Sequence, residues 1–304
     1  MLGFGDLVLC AGTVSRSGLA ERAAAVAEAG FAGLSLFVND YRRARASGLS
    51  DADLRRVLGD HGLAVAEIDP LLSWLPGLDR AAGVVERGRE FLADDEDGFY
   101  RVADALGARS INAALADPGE VDLDAVAEAF AKLCDRAAAH GLLVHLEFLP
   151  WTRIGDVTTA LGVVERAGRA NGGVMLDAWH HFRSGSADAA IPPARVLGLQ
   201  LSDAPAQAEA DPIAETLHRR LVPGEGDADL VGLLRRLGAG GCRAPVGVEV
   251  FSDALATLPV REVARRVAVA MRGILAAASV VPGLPSGALG AAARGPTPRA
   301  RCDE

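Results

Sequence analysis

The chain contains almost no lysine. Its 304 residues include one, Lys132, within a segment of helical periodicity (127–141). An aldolase that forms a Schiff base requires a lysine on a strand inside its active site, so this class of enzyme is excluded. Cations are also outnumbered, with 31 Lys and Arg residues against 40 Asp and Glu residues and a formal net charge of −9. Because nucleic-acid binding depends on clustered cations that contact phosphates, we expect no nucleic-acid partner.

Closely spaced cysteines and long apolar runs are absent as well. The four cysteines, Cys10, Cys134, Cys242 and Cys302, form no CxxC motif and lie far apart in the sequence. This spacing is typical of a reduced compartment. The apolar stretch at 7–14 follows no basic leader and is too short to span a bilayer. We therefore expect a soluble cytoplasmic protein with no membrane partner.

Apolar runs alternate with helical segments along most of the chain. Runs with the length and composition of buried strands lie at 7–14, 31–40, 63–72, 109–115, 142–148, 173–180, 196–203 and 245–253. The segments that follow them lie at 17–30, 50–62, 96–108, 121–141, 157–172, 190–196, 227–241 and 260–275. Eight such pairs predict an α/β fold, a single (β/α)8 TIM barrel over residues 1–279. An open doubly wound sheet is the alternative, but no GxGxxG motif follows the first run.

The C-terminal segment has a different composition from the rest of the chain. Residues 280–304 are dense in Pro, Gly, Ala and Arg and contain few side chains that could be buried. Such a composition does not offset the entropy lost on ordering. We therefore predict a disordered tail after the barrel.

Polar side chains with oxygen donors end four of the apolar runs. These residues are Glu147, Asp177, Gln200 and Glu249. One acidic residue at a strand end is often only a helix cap or an arginine partner, but four of them at equivalent places favour a shared role. The carboxyl ends of barrel strands meet at one rim, so the four can converge on one divalent metal ion. Three carboxylates and an amide favour Mg²⁺ or Mn²⁺ over Co²⁺ or Zn²⁺.

Two of these four residues are also candidates for proton transfer. Glu147 and Glu249 lie on strands that we expect on different sides of the rim, so each can face one side of a substrate. Isomerisation, epimerisation and dehydration next to a carbonyl all need a base for a weakly acidic C–H and a cation for the resulting oxyanion. We therefore predict Glu147 and Glu249 as the catalytic acid–base pair.

An ordered set of motifs resembles the xylose isomerase-like TIM barrels over about residues 7–275. The motifs are GFAGLSLFVND (30–40), HLEFLPW (145–151), LDAWH (176–180), LQLSDAP (199–205), RLVPGEGDADL (220–230) and VGVEVFSD (246–253). This superfamily includes sugar-phosphate isomerases and epimerases, inosose dehydratases, AP-endonuclease-type barrels and bacterial 3-dehydroshikimate dehydratases. The resemblance implies a divalent metal at the four strand-end residues, and it implies that His180 and Arg220 contact substrate oxygens. The six histidines are too few for the multi-zinc cluster of a DNA-repair barrel.

Two departures from the family pattern bear on the substrate. Gln200 stands where many epimerases have histidine and looks more like the dehydroshikimate dehydratases. The third strand, however, ends in EIDPLLSWLPG (67–77) without an arginine for a substrate carboxylate. Glu67, Asp69 and Trp74 in this segment suit the hydroxyls and the apolar face of a neutral polyol. Rim arginines could still supply the missing charge, and the candidates are Arg42, Arg43 and Arg153.

These observations favour a metal-dependent isomerase or epimerase of a sugar, a sugar phosphate or a cyclic keto-polyol. The alternative is a dehydratase of the 3-dehydroshikimate or inosose type, and a second alternative is a non-catalytic barrel that binds its ligand. In each case the partner is a small polyhydroxylated carbonyl compound. The sequence is also compatible with a homo-oligomer.

Overall fold

The computed structural model of the chain describes residues 2–77, 91, 94–188 and 191–280. Its strands are β1 (Leu7–Leu9), β2 (Gly33–Leu36), β3 (Ala64–Leu71), β4 (Ser110–Ala114), β5 (Leu143–Glu147), β6 (Gly172–Asp177), β7 (Val196–Leu201) and β8 (Val246–Val248). Its helices are α1 (Leu19–Glu28), α2 (Val38–Ala46), α3 (Asp51–Asp60), α4 (Glu96–Leu106), α5 (Leu123–Ala138), α6 (Val157–Ala167), α7 (Ala178–Ser184), α8 (Pro212–His218), α9 (Leu230–Ala239) and α10 (Val260–Ala277). The predicted tail, apart from Val280, lies outside the described residues.

The strands close into an eight-stranded barrel in chain order, and neighbouring strands are parallel throughout. The predicted (β/α)8 barrel is therefore confirmed. Strand side chains are almost all buried, because one face packs inside the barrel and the other packs against the surrounding helices. No helix in the described part of the chain is long and apolar enough to cross a membrane. Cys10, Cys134 and Cys242 are buried and form no disulfide, whereas Cys302 lies outside the described residues.

The second strand is shorter than the sequence predicts. The apolar run at 31–40 suggests a strand throughout, but β2 ends at Leu36 and α2 begins at Val38. Asp40 causes the early turn, because its carboxylate accepts the Phe37 peptide N–H at 3.0 Å and holds the first turn of α2. The same carboxylate pairs with the buried Arg22 guanidinium at 2.8 Å.

The third strand lies within the predicted run at 63–72 and continues past Pro70. Because proline has no peptide N–H, a strand is expected to end there, yet β3 continues to Leu71. The register between β3 and β4 shifts between Ile68 and Leu71, so the sheet does not require a hydrogen bond from Pro70. Asp69 consequently still lies on β3 and reaches the carboxyl end of the barrel.

Candidate metal and catalytic site

The predicted strand-end residues lie together at the carboxyl rim. Glu147 and Asp177 are the last residues of β5 and β6, Gln200 is the penultimate residue of β7, and Glu249 directly follows β8. Asp177 is paired with Gln200 in register, and the Glu249 peptide N–H donates to the Leu201 carbonyl at 3.0 Å. All four side chains are buried. The hydrogen bonds between parallel strands thus bring residues that are far apart in sequence to one side of the barrel.

The donors at this rim suit a divalent metal. Candidate ligand atoms of Glu147, Asp177 and His180 all lie within 4.8 Å of one another. Two further oxygens, Oε1 of Gln200 and Oε1 of Glu249, are buried and accept no hydrogen bond from the described residues. Leaving buried oxygens without a partner is costly. A bound cation would remove this cost, so the residue types present fit the expected ion. His180, which was predicted as a substrate contact, belongs to the close group of candidate ligands, whereas Glu249 does not.

Asp177 also caps a helix. Its Oδ1 accepts the His180 peptide N–H at 2.8 Å at the start of α7, which is the simple role that strand-end acids often have. Its Oδ2 accepts Arg220 Nη1 at 2.6 Å. The capping hydrogen bond therefore fixes the orientation of the carboxylate that the sequence assigns to the metal.

Arg220 is buried in the site and its donors are committed. Besides Asp177, the guanidinium donates to the Thr216 hydroxyl at 2.8 Å and lies 3.3 Å from His180 Nε2. Its Nη1 lies 3.6 Å from Glu249 Oε2. Arg220 lines the cavity, as expected for the predicted substrate contact, but its described hydrogen bonds serve protein groups.

Asn112 is a site residue that the sequence reasoning missed. Its Nδ2 donates to Glu147 Oε2 at 2.8 Å and to Asp69 Oδ1 at 2.9 Å, so one amide holds two carboxylates. The signal was a single amide within the apolar run RSINAAL (109–115). Without the register of the barrel strands, the sequence does not tell whether the Asn112 side chain points into the barrel or toward solvent.

The other two predicted substrate contacts lie elsewhere. Glu67 is below the rim in the barrel interior, where it accepts Gln200 Nε2–H at 3.0 Å. Trp74 is packed edge-on against Phe130 with its indole N–H donating to the Ala114 carbonyl. Neither is among the described residues that line the cavity, whereas Asp69, two residues after Glu67 on β3, is.

Burial and neighbouring charges set the protonation of the site. Burial raises the pKa of Glu147 and Glu249 well above the usual range, and the Asp69 charge raises both further. Burial also opposes ionisation of Asp177, but Arg220, His180 and the hydrogen bonds that they donate together outweigh it, and the pKa of Asp177 is lowered. Burial lowers the pKa of His180 to about 3. Its imidazole is therefore neutral near pH 7, the form that binds a metal.

A cavity opens beside these groups. The polar residues that line it are Asp69, Glu147, His180, Thr216, Arg220 and Glu249. They form one connected cluster, the carboxyl-rich edge, since each contacts another member directly or through Asn112. The other lining residues are apolar and form what we call the apolar wall, which includes Phe37, Leu72, Phe91, Leu149, Trp151, Ile213, Leu217 and Phe251. The rim arginines proposed as further anchors are not part of the described lining, since Arg42 pairs with Asp94, Arg43 with Asp40, and Arg153 lies near Glu120.

A sequence model described as xylose isomerase-like TIM barrel matches residues 23–272. The chain belongs to this family. The match runs from within α1 to within α10 and includes all the site residues, while β1 lies before it. The family resemblance found in the motifs is thereby confirmed over residues 23–272.

Similar members of the xylose isomerase-like family are enzymes. A 3-dehydroshikimate dehydratase of Pseudomonas aeruginosa is 33% identical over 266 residues, and one of Pseudomonas putida is 29% identical over 264 residues. Each match covers 82% of this chain, which spans 39% of the length of either relative. Among solved structures, the IOLI protein with a bound zinc atom superposes with a TM-score of 0.73 at 19% identity, covering 90% of this chain and 98% of that protein.

Proposed function

We propose that this barrel is a divalent-metal-dependent carbon–oxygen lyase that removes water from a cyclic β-hydroxy ketone, with 3-dehydroshikimate as the first substrate to test. The observation that carries the proposal is the division of the cavity into a carboxyl-rich edge and an apolar wall. We therefore prefer a dehydratase to the sugar isomerase or epimerase that the sequence alone favours.

The apolar wall favours a ring over an open polyol. A sugar chain carries hydroxyls along its whole length, and each needs a polar partner when it is buried. A cyclohexenone carries its oxygens around the periphery of the ring and leaves its carbon faces free to pack against apolar side chains. Trp151, which packs edge-on against His180 with 5.5 Å between ring centroids, can cover such a face next to the polar edge.

The carboxyl-rich edge supplies the groups that dehydration requires. One carboxylate removes the proton from the carbon next to the carbonyl, and the electrons of that C–H bond form the new C=C bond as the β-hydroxyl leaves. The other carboxyl, in its protonated form, donates a proton so that the hydroxyl leaves as water. Glu147 and Glu249 fill these roles, because burial raises the pKa of both well above the usual range and so favours a carboxyl that holds a proton to donate.

Protein groups hold this pair in place. Asn112 fixes Glu147 Oε2 and leaves Oε1 near His180 Nε2, 3.6 Å away. Glu249 keeps one oxygen 3.6 Å from Arg220 and the other without a described hydrogen bond. A divalent ion held by Glu147, Asp177, Gln200 and Glu249, with His180 beside them, would supply a Lewis acid for the substrate carbonyl.

The two dehydratase relatives support the reaction class. Their identity of 33% and 29% extends over most of the barrel, although the activity of a protein more than twice as long does not transfer by likeness alone. A sugar or inositol-type substrate is the second candidate. The described cavity lining contains one cation, Arg220, and its donors already bind protein groups. This favours a neutral substrate, which needs no cation for a carboxylate.

The test compares three substrates with Mn²⁺-loaded protein in D₂O. With 3-dehydroshikimate, we expect release of an aromatic dihydroxybenzoate, followed by its ultraviolet absorbance, and loss of activity after chelation. Deuterium at the carbon next to the carbonyl of a ketohexose, without dehydration of any substrate, would instead identify an isomerase or epimerase. Dehydration of a keto-inositol alone would keep the lyase class and change the substrate. Failure with all three would favour a non-catalytic binding barrel.

A further inference from the structure

We infer that Glu67 is a positioning residue that orients the Gln200 side-chain amide so that its carbonyl oxygen faces the metal site. This inference rests on the metal-binding part of the proposed function and assigns Glu67 a role other than substrate binding. It also explains why a neutral amide is compatible with a site that otherwise consists of acids.

The hydrogen bond between the two side chains crosses the barrel. Glu67 lies on β3 and Gln200 on β7, four strands apart in a ring of eight, and Gln200 Nε2 donates to Glu67 Oε1 at 3.0 Å. Gln200 is fully buried and Glu67 is only 5% exposed. The Gln200 amide is also a hydrogen-bonding neighbour of the Asp69 carboxyl. Both carboxyls of β3 therefore lie on the nitrogen side of the amide.

The opposite side of the amide holds the atom that matters for the ion. Oε1 of Gln200 is buried and receives no hydrogen bond from any residue that the structure describes. Above pH 7, where the β3 carboxyls with a pKa of about 7 are mostly ionised, rotating the amide by half a turn would set this oxygen against their oxygens and turn the N–H groups toward the site. Because repulsion between buried oxygens is strong and an orphaned N–H is costly, Glu67 selects one of the two orientations.

The barrel interior holds Glu67 itself in position. Its Oε2 lies 3.5 Å from His145 Nδ1, and the Cys10 thiol contacts Oε1 at 3.9 Å. His145 in turn packs over Gly198 of β7, where an added Cβ would lie 2.4 Å from its Nδ1. Side chains that orient a metal ligand in this way typically change metal affinity by about 10–100-fold when they are removed.

A double-mutant cycle in Mn²⁺ affinity tests the inference. The variants are Glu67→Met, Gln200→Met and the double substitution, with affinity measured by calorimetry on chelator-treated full-length protein. We expect Glu67→Met to weaken Mn²⁺ binding about 10–100-fold. The double variant should bind no more weakly than Gln200→Met, because Glu67 acts through the Gln200 amide. Glu67→Gln should restore near wild-type affinity, since its amide oxygen can still accept the Gln200 N–H.

The controls separate positioning from a loss of stability. Glu215→Met removes another buried carboxyl, the partner of Arg183, and should lower the unfolding temperature without changing Mn²⁺ affinity. If Glu67→Met does not fold, Glu67→Ser leaves room for water beside the amide and takes its place in the cycle. The inference would be overturned if the losses of Mn²⁺ affinity caused by Glu67→Met and Gln200→Met were additive in the double variant. Wild-type Mn²⁺ affinity in either single variant would also overturn it. If the Mn²⁺ affinities follow the expected cycle but the protein dehydrates no ketone, the inference about Glu67 stands and the proposed reaction is refuted.

Discussion

Arg220 Nη1 donates to Asp177 Oδ2 at 2.6 Å, and both side chains are buried at the rim of the barrel. The guanidinium lowers the pKa of Asp177 although burial opposes its ionisation. Arg220 therefore keeps one candidate metal ligand ionised and fixed before any ion binds. Arg220 therefore has an electrostatic and a structural role in the site, in addition to lining the cavity.

Removing this charge should destabilise the metal-free protein. In Arg220→Met, Asp177 is left as a buried carboxylate without its cation, a change that typically costs about 3–5 kcal/mol. Mn²⁺ should recover part of the loss, because an ion beside Asp177 replaces the missing positive charge. Chemical denaturation with and without Mn²⁺ measures both effects. The control is Arg183→Met, which breaks the buried pair with Glu215 and should lose stability that Mn²⁺ does not recover. Equal recovery by Mn²⁺ in both variants would contradict the assignment of Asp177 to the metal site.

Replacing one member of the acid–base pair should abolish turnover without unfolding the barrel. Glu249→Gln keeps the size and removes a carboxyl whose ionisation burial already disfavours, so the unfolding temperature should change little. Loss of a general acid or base typically lowers the rate about 10²–10⁴-fold. Steady-state kinetics at saturating Mn²⁺ measure the rate, and Glu165→Gln on the exposed side of α6 is the matched control. Turnover at the wild-type rate would remove Glu249 from the mechanism.

The metal-free protein should lose stability as the pH rises from about 6.5 to 8.5. Burial raises the pKa of Glu67 and Asp69 to about 7 and that of Glu147 and Glu249 well above the usual range. At pH 6.5 the unfolded carboxyls are already ionised while the folded ones still bind protons, so the free energy of unfolding falls as the pH rises through the pKa values of the folded state. Buried histidines such as His180, with its lowered pKa, contribute only below about pH 6.5, where the unfolded imidazole becomes protonated.

Thermal unfolding across this pH range, with chelator and with Mn²⁺, measures the effect. We expect the decline with chelator only, because an ion favours the ionised carboxylates and offsets their burial. An unfolding temperature that stays constant or rises between pH 6.5 and 8.5 in the chelated protein would show that these carboxyls are not held protonated.

Changing the amide ligand should change the preferred metal. In Gln200→His the imidazole can donate one N–H to Glu67 and direct its other nitrogen to the ion, the arrangement in which carboxylates commonly support histidine ligands. A nitrogen donor favours Zn²⁺ and Co²⁺ relative to Mn²⁺. Competition binding of the three ions measures the change. An unaltered order of affinity would mean that Gln200 does not contact the metal.

The sequence predicted the fold more completely than the site. Eight apolar runs with helical segments between them identified the barrel, because strand and helix periodicity is a local property of the chain. Several apolar runs extend beyond the strands that they contain, for example 31–40 beyond β2 and 173–180 beyond β6, because tertiary contacts decide where a strand ends. Asp40 starts α2 where its carboxylate also pairs with Arg22, and β3 passes Pro70 because the register with β4 shifts there.

The candidate site was predicted where its residues follow the strand pattern. Glu147, Asp177 and Glu249 end their strands and could be grouped from their positions alone. The grouping missed Asn112, whose amide joins two carboxylates, and it placed Glu67 and Trp74 at the substrate, whereas one lies below the rim and the other in the core. Whether the side chain of a buried strand faces the rim or the interior depends on register and strand stagger.

The sequence by itself determined a barrel with oxygen donors at the ends of four strands, since hydrophobic periodicity and residue type can be read directly from the order of the amino acids. Only the tertiary structure decided which side chains meet. The bond from Gln200 to Glu67 and the bond from Arg220 to Asp177 join residues 133 and 43 positions apart. The first forms because barrel closure brings side chains of opposite strands within reach, and the second because the bridges from Leu221 to Asp203 and from Arg219 to Ser252 hold Arg220 at the rim. Burial then makes each unpaired polar atom costly enough to fix its partner.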